Sequence, residues 1–291
     1  MPRTSDFFLD CALYIYGSDE TALENSPREG GSGFLAAARV AAESLFLQYY
    51  AVTAAHVVHG AKTPFIRVNK RFSNEVEVIE APASSWIQHP DGDDVAVCPL
   101  NLQTAALRTL GIETTRFVTP DIIATADIGI GDDVFMVGRF AQHSGSKTQN
   151  IPVARFGNIA TMPIEPLLRE DGIKQESFLI ECRSVPGHSG APVFVYKRSL
   201  FEQPGQENFL GQRVVKWDGA KQLISRAYWL LGIDWCHLHD PITKANTGMA
   251  GVIPAWKIMD IINSGPLVQQ RIELAERMRN EGNLLDYPNA G

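Results

Sequence analysis

The sequence predicts an all-β protein built as two antiparallel barrels, with helix confined to the C-terminal end. Three observations carry that reading. Short runs rich in β-branched and aromatic residues recur between clusters of Gly, Pro, Asn and Asp, the punctuation of strands joined by turns. Helical signals are sparse until Pro254. The 291 residues, 45% of them hydrophobic, are enough to bury one large core or two modest ones.

Taken in order, the first strands are expected at Ala12 to Tyr16, Gly33 to Val40, Leu45 to Thr53, Phe65 to Val68 and Val76 to Ile79. A linker is placed within Thr114 to Gly131, where Thr119, Pro120 and the GIGD turn at Gly129 to Asp132 interrupt the pattern. Strands resume at Val134 to Val137, Val153 to Ile159, Phe178 to Cys182, Ala191 to Tyr196, Tyr228 to Ile233 and Gly248 to Ile253. That divides the chain into residues 6–118, residues 119–263 and a C-terminal segment at residues 264–291. Pro254 opens a helix over Ala255 to Ile262, because a proline in the first turn lacks only an N–H that would have no partner there. Trp256, Ile258, Ile261 and Ile262 share its apolar face. A second helix runs from Pro266 to about Arg279, with Leu267, Val268, Ile272, Leu274, Ala275 and Met278 at helical spacing, and is expected to pack on the barrels. No internal repeat or low-complexity segment interrupts the chain.

Composition excludes several classes. A net charge of −7 with no basic block argues against nucleic acid and against an anionic membrane surface as partners. Cys11, Cys98, Cys182 and Cys236 form no CxxC pair, so neither a zinc ribbon nor a disulfide framework is signalled, and buried free thiols are expected. No apolar stretch is long enough to span a membrane, and Met1 to Asp10 does not read as a secretory signal, which makes the cytoplasm the expected compartment.

Three strings carry chemistry: TAAH ending at His56, DDVAV containing Asp94, and GHSGAP centred on Ser189. A hydroxyl attacks a carbonyl at neutral pH only if an imidazole takes its proton and a carboxylate holds that imidazole in the right tautomer. The GHSG string also offers the N–H groups of Gly187 and Ser189 as an oxyanion hole, a donation worth roughly 2.7 to 4 kcal/mol to the transition state. Gly190 would let the next strand pack close behind the nucleophile.

In these strings the chain resembles the trypsin-like serine proteases of the chymotrypsin fold, in their prokaryotic, disulfide-poor branch that includes the high-temperature-requirement proteases. The likeness extends to Gly31 to Phe34 (GSGF), Ala51 to Val58, Asp94 to Val97 (DVAV), Gly131 to Gly138 (GDDVFMVG), Phe156 to Ala160, Gly232 to Asp234 and Gly251 to Pro254, covering about Phe7 to Asn263. It implies two six-stranded Greek-key barrels with C-terminal helices, His56 and Asp94 on the first and Ser189 on the second. The order His, Asp, Ser is that of the double-barrel fold. Asp94 follows His56 by 38 positions and Ser189 lies 95 further on, which agrees.

Each role has a rival residue nearby. His59 lies beyond the small Ala54 and Ala55 that would let His56 approach the serine loop. Asp91 to Asp93 read as solvated turn residues, whereas Asp94 begins a buried strand. The second HSG, at His143 to Gly145, lacks the preceding glycine and reads as an exposed hairpin loop. Cys236, His237, His239 and Asp240 do not make a metal site, because neighbouring strand residues point in fixed, divergent directions.

The chain departs from the family pattern at His188, where trypsin-like enzymes have Asp or Asn; its ring would line the leaving-group side or point to solvent. The polar segment Arg198 to Lys221 reads as a surface loop near the cleft. The resemblance puts the base of the substrate pocket at Arg183, with Asp234 and Trp235 on a facing strand. An Arg183–Asp234 pair would neutralise the pocket, so the sequence names no specificity.

The reading is a serine endopeptidase acting on protein or peptide substrates through an acyl-enzyme, without metal or organic cofactor. The alternatives are a silent protease-shaped binding or scaffold module and a zymogen-like form activated by a regulatory protein partner.

Overall fold

The computed structural model describes residues 6–281 apart from 28, 42, 43, 45, 103, 170 and 200–224. The leading half is a sheet of eight strands: β1 (Ala12–Tyr16), β2 (Gly31–Arg39), β3 (Leu47–Thr53), β4 (Phe65–Asn69), β5 (Val76–Glu80), β6 (Ile87–Gln88), β7 (Ala96–Leu100) and β8 (Ile112–Glu113). Their order is β5-β4-β1-β2-β3-β7-β6, with β8 pairing parallel to β2. Small residues suit β2 to its central place, since Ala36 and Ala37 are fully buried between flanking strands and a Cβ on Gly33 would meet Val52 O at 2.7 Å.

The trailing half has β9 (Asp133–Gly138), β10 (Val153–Thr161), a separate hairpin of β11 (Leu167–Leu168) and β12 (Lys174–Gln175), then β13 (Phe178–Glu181), β14 (Pro192–Ser199), β15 (Ser225–His239) and β16 (Asn246–Pro254). Six of these close a barrel in the order β10-β13-β16-β15-β14-β9. The all-β, chymotrypsin-type architecture with C-terminal helices therefore holds. It differs from two equal six-stranded barrels in that the leading sheet has eight strands and an open path. Two of those strands, β6 and β8, are only two residues long, too short for sequence alternation to reveal.

Helices α1 (Asp19–Glu24), α2 (Ala55–Val58), α3 (Pro120–Thr125), α4 (Ala255–Ile262) and α5 (Gly265–Asn280) complete the described chain. Three, α1 to α3, lie where the sequence reading had no helix, and two of them carry side-chain caps. Ser18 accepts from Thr21 N at α1, and Thr119 accepts from Ile122 N at α3, which occupies the expected linker. The halves share one apolar core: Phe34, Val52 and Val97 meet Phe135, Phe194 and Ile253, with Ile258, Ile261 and Ile262 of α4 packed on them. On α5 only Leu267 and Ala275 are buried, a narrower stripe than predicted, and Ile272 is exposed. Arg271 ties that helix to the leading sheet by donating to Tyr50 Oη at 2.8 Å. All four cysteines are free thiols, and Cys11, Cys98 and Cys182 are buried. Most of the predicted polar loop and the C-terminal tail lie outside the described residues.

Candidate active site

β3 delivers the chain to α2 through the buried Ala54 and Ala55, and His56 projects from that single turn with about half of its side chain exposed. Asp94 sits just ahead of β7 and is buried. Its Oδ1 accepts from the His56 backbone N at 2.8 Å, and its Oδ2 lies 2.6 Å from His56 Nδ1. The carboxylate selects the tautomer that carries its proton on Nδ1, leaving the Nε2 lone pair free to act as a base. His59, the rival, is exposed and makes no contact with Asp94 among the described residues.

Ser189 lies on a tight turn framed by Gly187 at φ +99° and Gly190 at φ +85°, values an L side chain rarely adopts. His188 N donates to Val185 O at 3.1 Å and Ala191 N to His188 O at 2.7 Å, closing the turn. The N–H groups of Gly187 and Ser189 have no acceptor among the described residues, as an oxyanion hole requires. A Cβ on Gly190 would stand 2.2 Å from Ser32 O, 2.3 Å from Thr53 Oγ1 and 3.0 Å from Ala54 N. The serine turn is thus pressed against the residues that lead into His56. No hydrogen bond joins Ser189 Oγ to His56 among the described residues; unliganded sites are commonly looser than their substrate complexes.

Ser32, on β2, pins the turn from the other half. Its N donates to Ser189 O at 2.8 Å, and its Oγ donates to Gly187 O at 2.6 Å while accepting from Arg139 N at 2.8 Å. Arg139 is itself buried, and its guanidinium donates to Tyr16 Oη, Gly30 O and Ser26 O. Arg67, equally buried, holds the loop after β9 by donating to Asn150 Oδ1 and to the carbonyls of Ser146 and Lys147. The second HSG belongs to that loop.

A family model described as trypsin-like peptidase domain matches residues 31–200, more than half of the chain. The chain belongs to that family. Among solved structures, the apo protease domain of MamO from Magnetospirillum magneticum matches with a TM-score of 0.54 at 15% identity, covering 89% of this chain and 99% of that one. The Rv3671c protease in its inactive form matches with a TM-score of 0.45 at 14% identity, covering 87% of each chain. A search of curated proteins finds no match. At 15% identity the likeness to the MamO domain speaks for the fold alone.

Within this trypsin-like peptidase domain the predicted pocket residues fare differently. Arg183 is exposed and forms no ion pair with Asp234 among the described residues, so the neutralised-pocket arrangement does not occur. Asp234 is instead buried beneath the serine turn: its backbone O accepts from Gly190 N at 2.7 Å, and its Oδ2 accepts from Ser184 Oγ at 2.7 Å. Burial pushes its carboxyl up to about 7, with the Ser184 hydrogen bond and the His56 charge opposing. Trp235 is half-buried and donates its indole N–H to Ser177 Oγ at 3.1 Å. His188 does not face solvent: it is fully buried, with Nδ1 3.0 Å from Val185 O. Burial holds its imidazole down at about 4.

The expectation of a solvated turn fails at Asp93, which is buried against two partners from the trailing half and one from its own loop. Lys257 Nζ and His89 Nδ1 each lie 3.0 Å from its Oδ2, and Gln175 Nε2 donates to its Oδ1 at 2.7 Å. Sequence reasoning passed over Ser32, His89, Arg139, Gln175 and Lys257. Only Ser32 sat in a string already singled out, the GSGF element.

Proposed function

We propose that the chain is a serine endopeptidase. The observation that carries this reading is the double hold of Asp94 on His56, which leaves Nε2 without a partner, together with a glycine-framed Ser189 turn that packs against the residues leading into His56. Ser189 Oγ attacks the peptide carbonyl as His56 Nε2 takes its proton, and the N–H groups of Gly187 and Ser189 hold the resulting oxyanion. Collapse breaks the C–N bond, with His56 protonating the departing amine. Water then repeats the sequence on the acyl-enzyme, regenerating the serine. Asp94 steadies the imidazolium throughout. These steps need no metal or organic cofactor.

The test is reaction with a fluorophosphonate, which should label one equivalent of protein at Ser189. Ser189→Ala should lose the label and about a millionfold in turnover. Equal hydrolysis by Ser189→Ala ends the assignment. The absent Ser189–His56 hydrogen bond is equally compatible with a second reading, in which a regulatory protein partner brings the two residues together. In that case titration is stoichiometric only with the partner present, whereas a silent module gives no label under either condition.

A further inference from the structure

Behind the face of Asp94 that meets His56 lies a buried polar chain contributed by the trailing half. The backbone N of Asp94 donates to Gln175 Oε1 at 2.8 Å. The other end of the same amide, Nε2, donates to Asp93 Oδ1 at 2.7 Å and to Glu176 O at 3.1 Å. Gln175 is fully buried. Asp93 is in turn neutralised by Lys257 of α4, whose Nζ also lies 3.4 Å from Glu176 Oε2. The hairpin carrying Gln175 is fixed separately, by Arg169 donating to Gly92 O at 2.8 Å.

We propose that Gln175 is a positioning residue for Asp94. The proposal rests on the peptidase reading for its catalytic consequence, though not for its geometry. The position must accept a hydrogen bond at one end and donate one at the other, and of the uncharged side chains of this length only an amide does both. A carboxylate there would face Asp93 with like charge, and a thioether would strand the Asp94 N–H and Asp93 Oδ1 together. β11 and β12 form a sheet of their own, outside the barrel, so closure of the barrel does not require this contact. What the contact does fix is the peptide from which the Asp94 carboxylate extends towards His56. An acid from the leading half is therefore aimed by a hairpin of the trailing half.

The full chain should be compared as wild type, Gln175→Met and, as a control, Arg169→Ala, which loosens the same hairpin without touching Asp94. The readouts are the low-field NMR resonance of the His56 Nδ1 proton, kcat and KM on a peptide, and the thermal midpoint. Gln175→Met should shift or broaden the resonance and lower kcat about tenfold to a hundredfold with KM unchanged, while Arg169→Ala leaves both near wild type. If Gln175→Met does not fold, Asp93→Ala replaces it, with Asp93→Asn restoring an acceptor for Nε2 and hence the resonance. A wild-type resonance in Gln175→Met, or an equal change in Arg169→Ala, overturns the proposal. Failure of the wild type to hydrolyse peptide would instead count against an unassisted peptidase, and the resonance still decides the role of Gln175.

Discussion

Asp94 holds His56 at two points, accepting the backbone N–H with one carboxylate oxygen and facing Nδ1 with the other. The first contact fixes where the residue sits and the second fixes how its ring is turned. Turning the ring away therefore breaks a short, charge-assisted contact while the main chain stays in place.

Asp94→Asn should leave the fold intact and still disable the site. An amide can accept from the His56 backbone N–H, but its NH2 turned towards Nδ1 enforces the wrong imidazole tautomer. Under the proposed mechanism kcat should fall on the order of ten-thousandfold, with little change in the thermal midpoint. Steady-state kinetics beside a melting curve checks both halves of this expectation.

Gly190→Ala should do the opposite, damaging structure and activity together. The new methyl would meet backbone and hydroxyl oxygens at 2.2 and 2.3 Å, at a φ of +85° that L residues avoid. A loss of about 3 kcal/mol or more in unfolding free energy is expected. Gly129→Ala, where a Cβ has open space, should be close to neutral in the same denaturant titration.

The stability profile should carry two opposed slopes. Asp234 titrates at about 7 in the folded chain against a reference of 3.8. Below about pH 4 both states hold this proton; as pH rises from there to about 7 the unfolded chain releases it first, so stability falls. His188 titrates at about 4 against a reference of 6.5, so its contribution is complete above 6.5 and is lost as pH falls towards 4. Melting curves from pH 4 to 8 should show Asp234→Asn flattening the loss towards neutral pH and His188→Gln flattening the loss towards acid.

The parts of the site legible beforehand were those whose chemistry is local. His56, Asp94 and Ser189 each sit in a short string with small neighbours, and the Ala255 to Ile262 helix was delimited by its apolar face and its proline. What escaped notice depends on partners far along the chain. Asp93 is buried because Lys257 and Gln175 reach it from the trailing half, and Arg67 and Arg139 are buried because backbone carbonyls, which no composition rule tracks, receive their guanidinium groups. The Arg183–Asp234 pairing was illegible for the converse reason, since a position carried over by resemblance does not say that Ser184 takes the Asp234 carboxylate instead. The short helices α1 and α3 were written in Ser18 and Thr119 but were too brief for periodicity.

The Ser32 clasp has a consequence for synthesis. A chain emerging from the ribosome makes β2 long before the GHSG turn, and domains made first generally fold first. Until the later barrel arrives, Ser32 has no turn to clasp and the turn has no template to take its shape from. Whatever chemistry the clasped turn performs is thereby withheld from the nascent protein, and a fragment severed between the halves would be inert on either side of the cut.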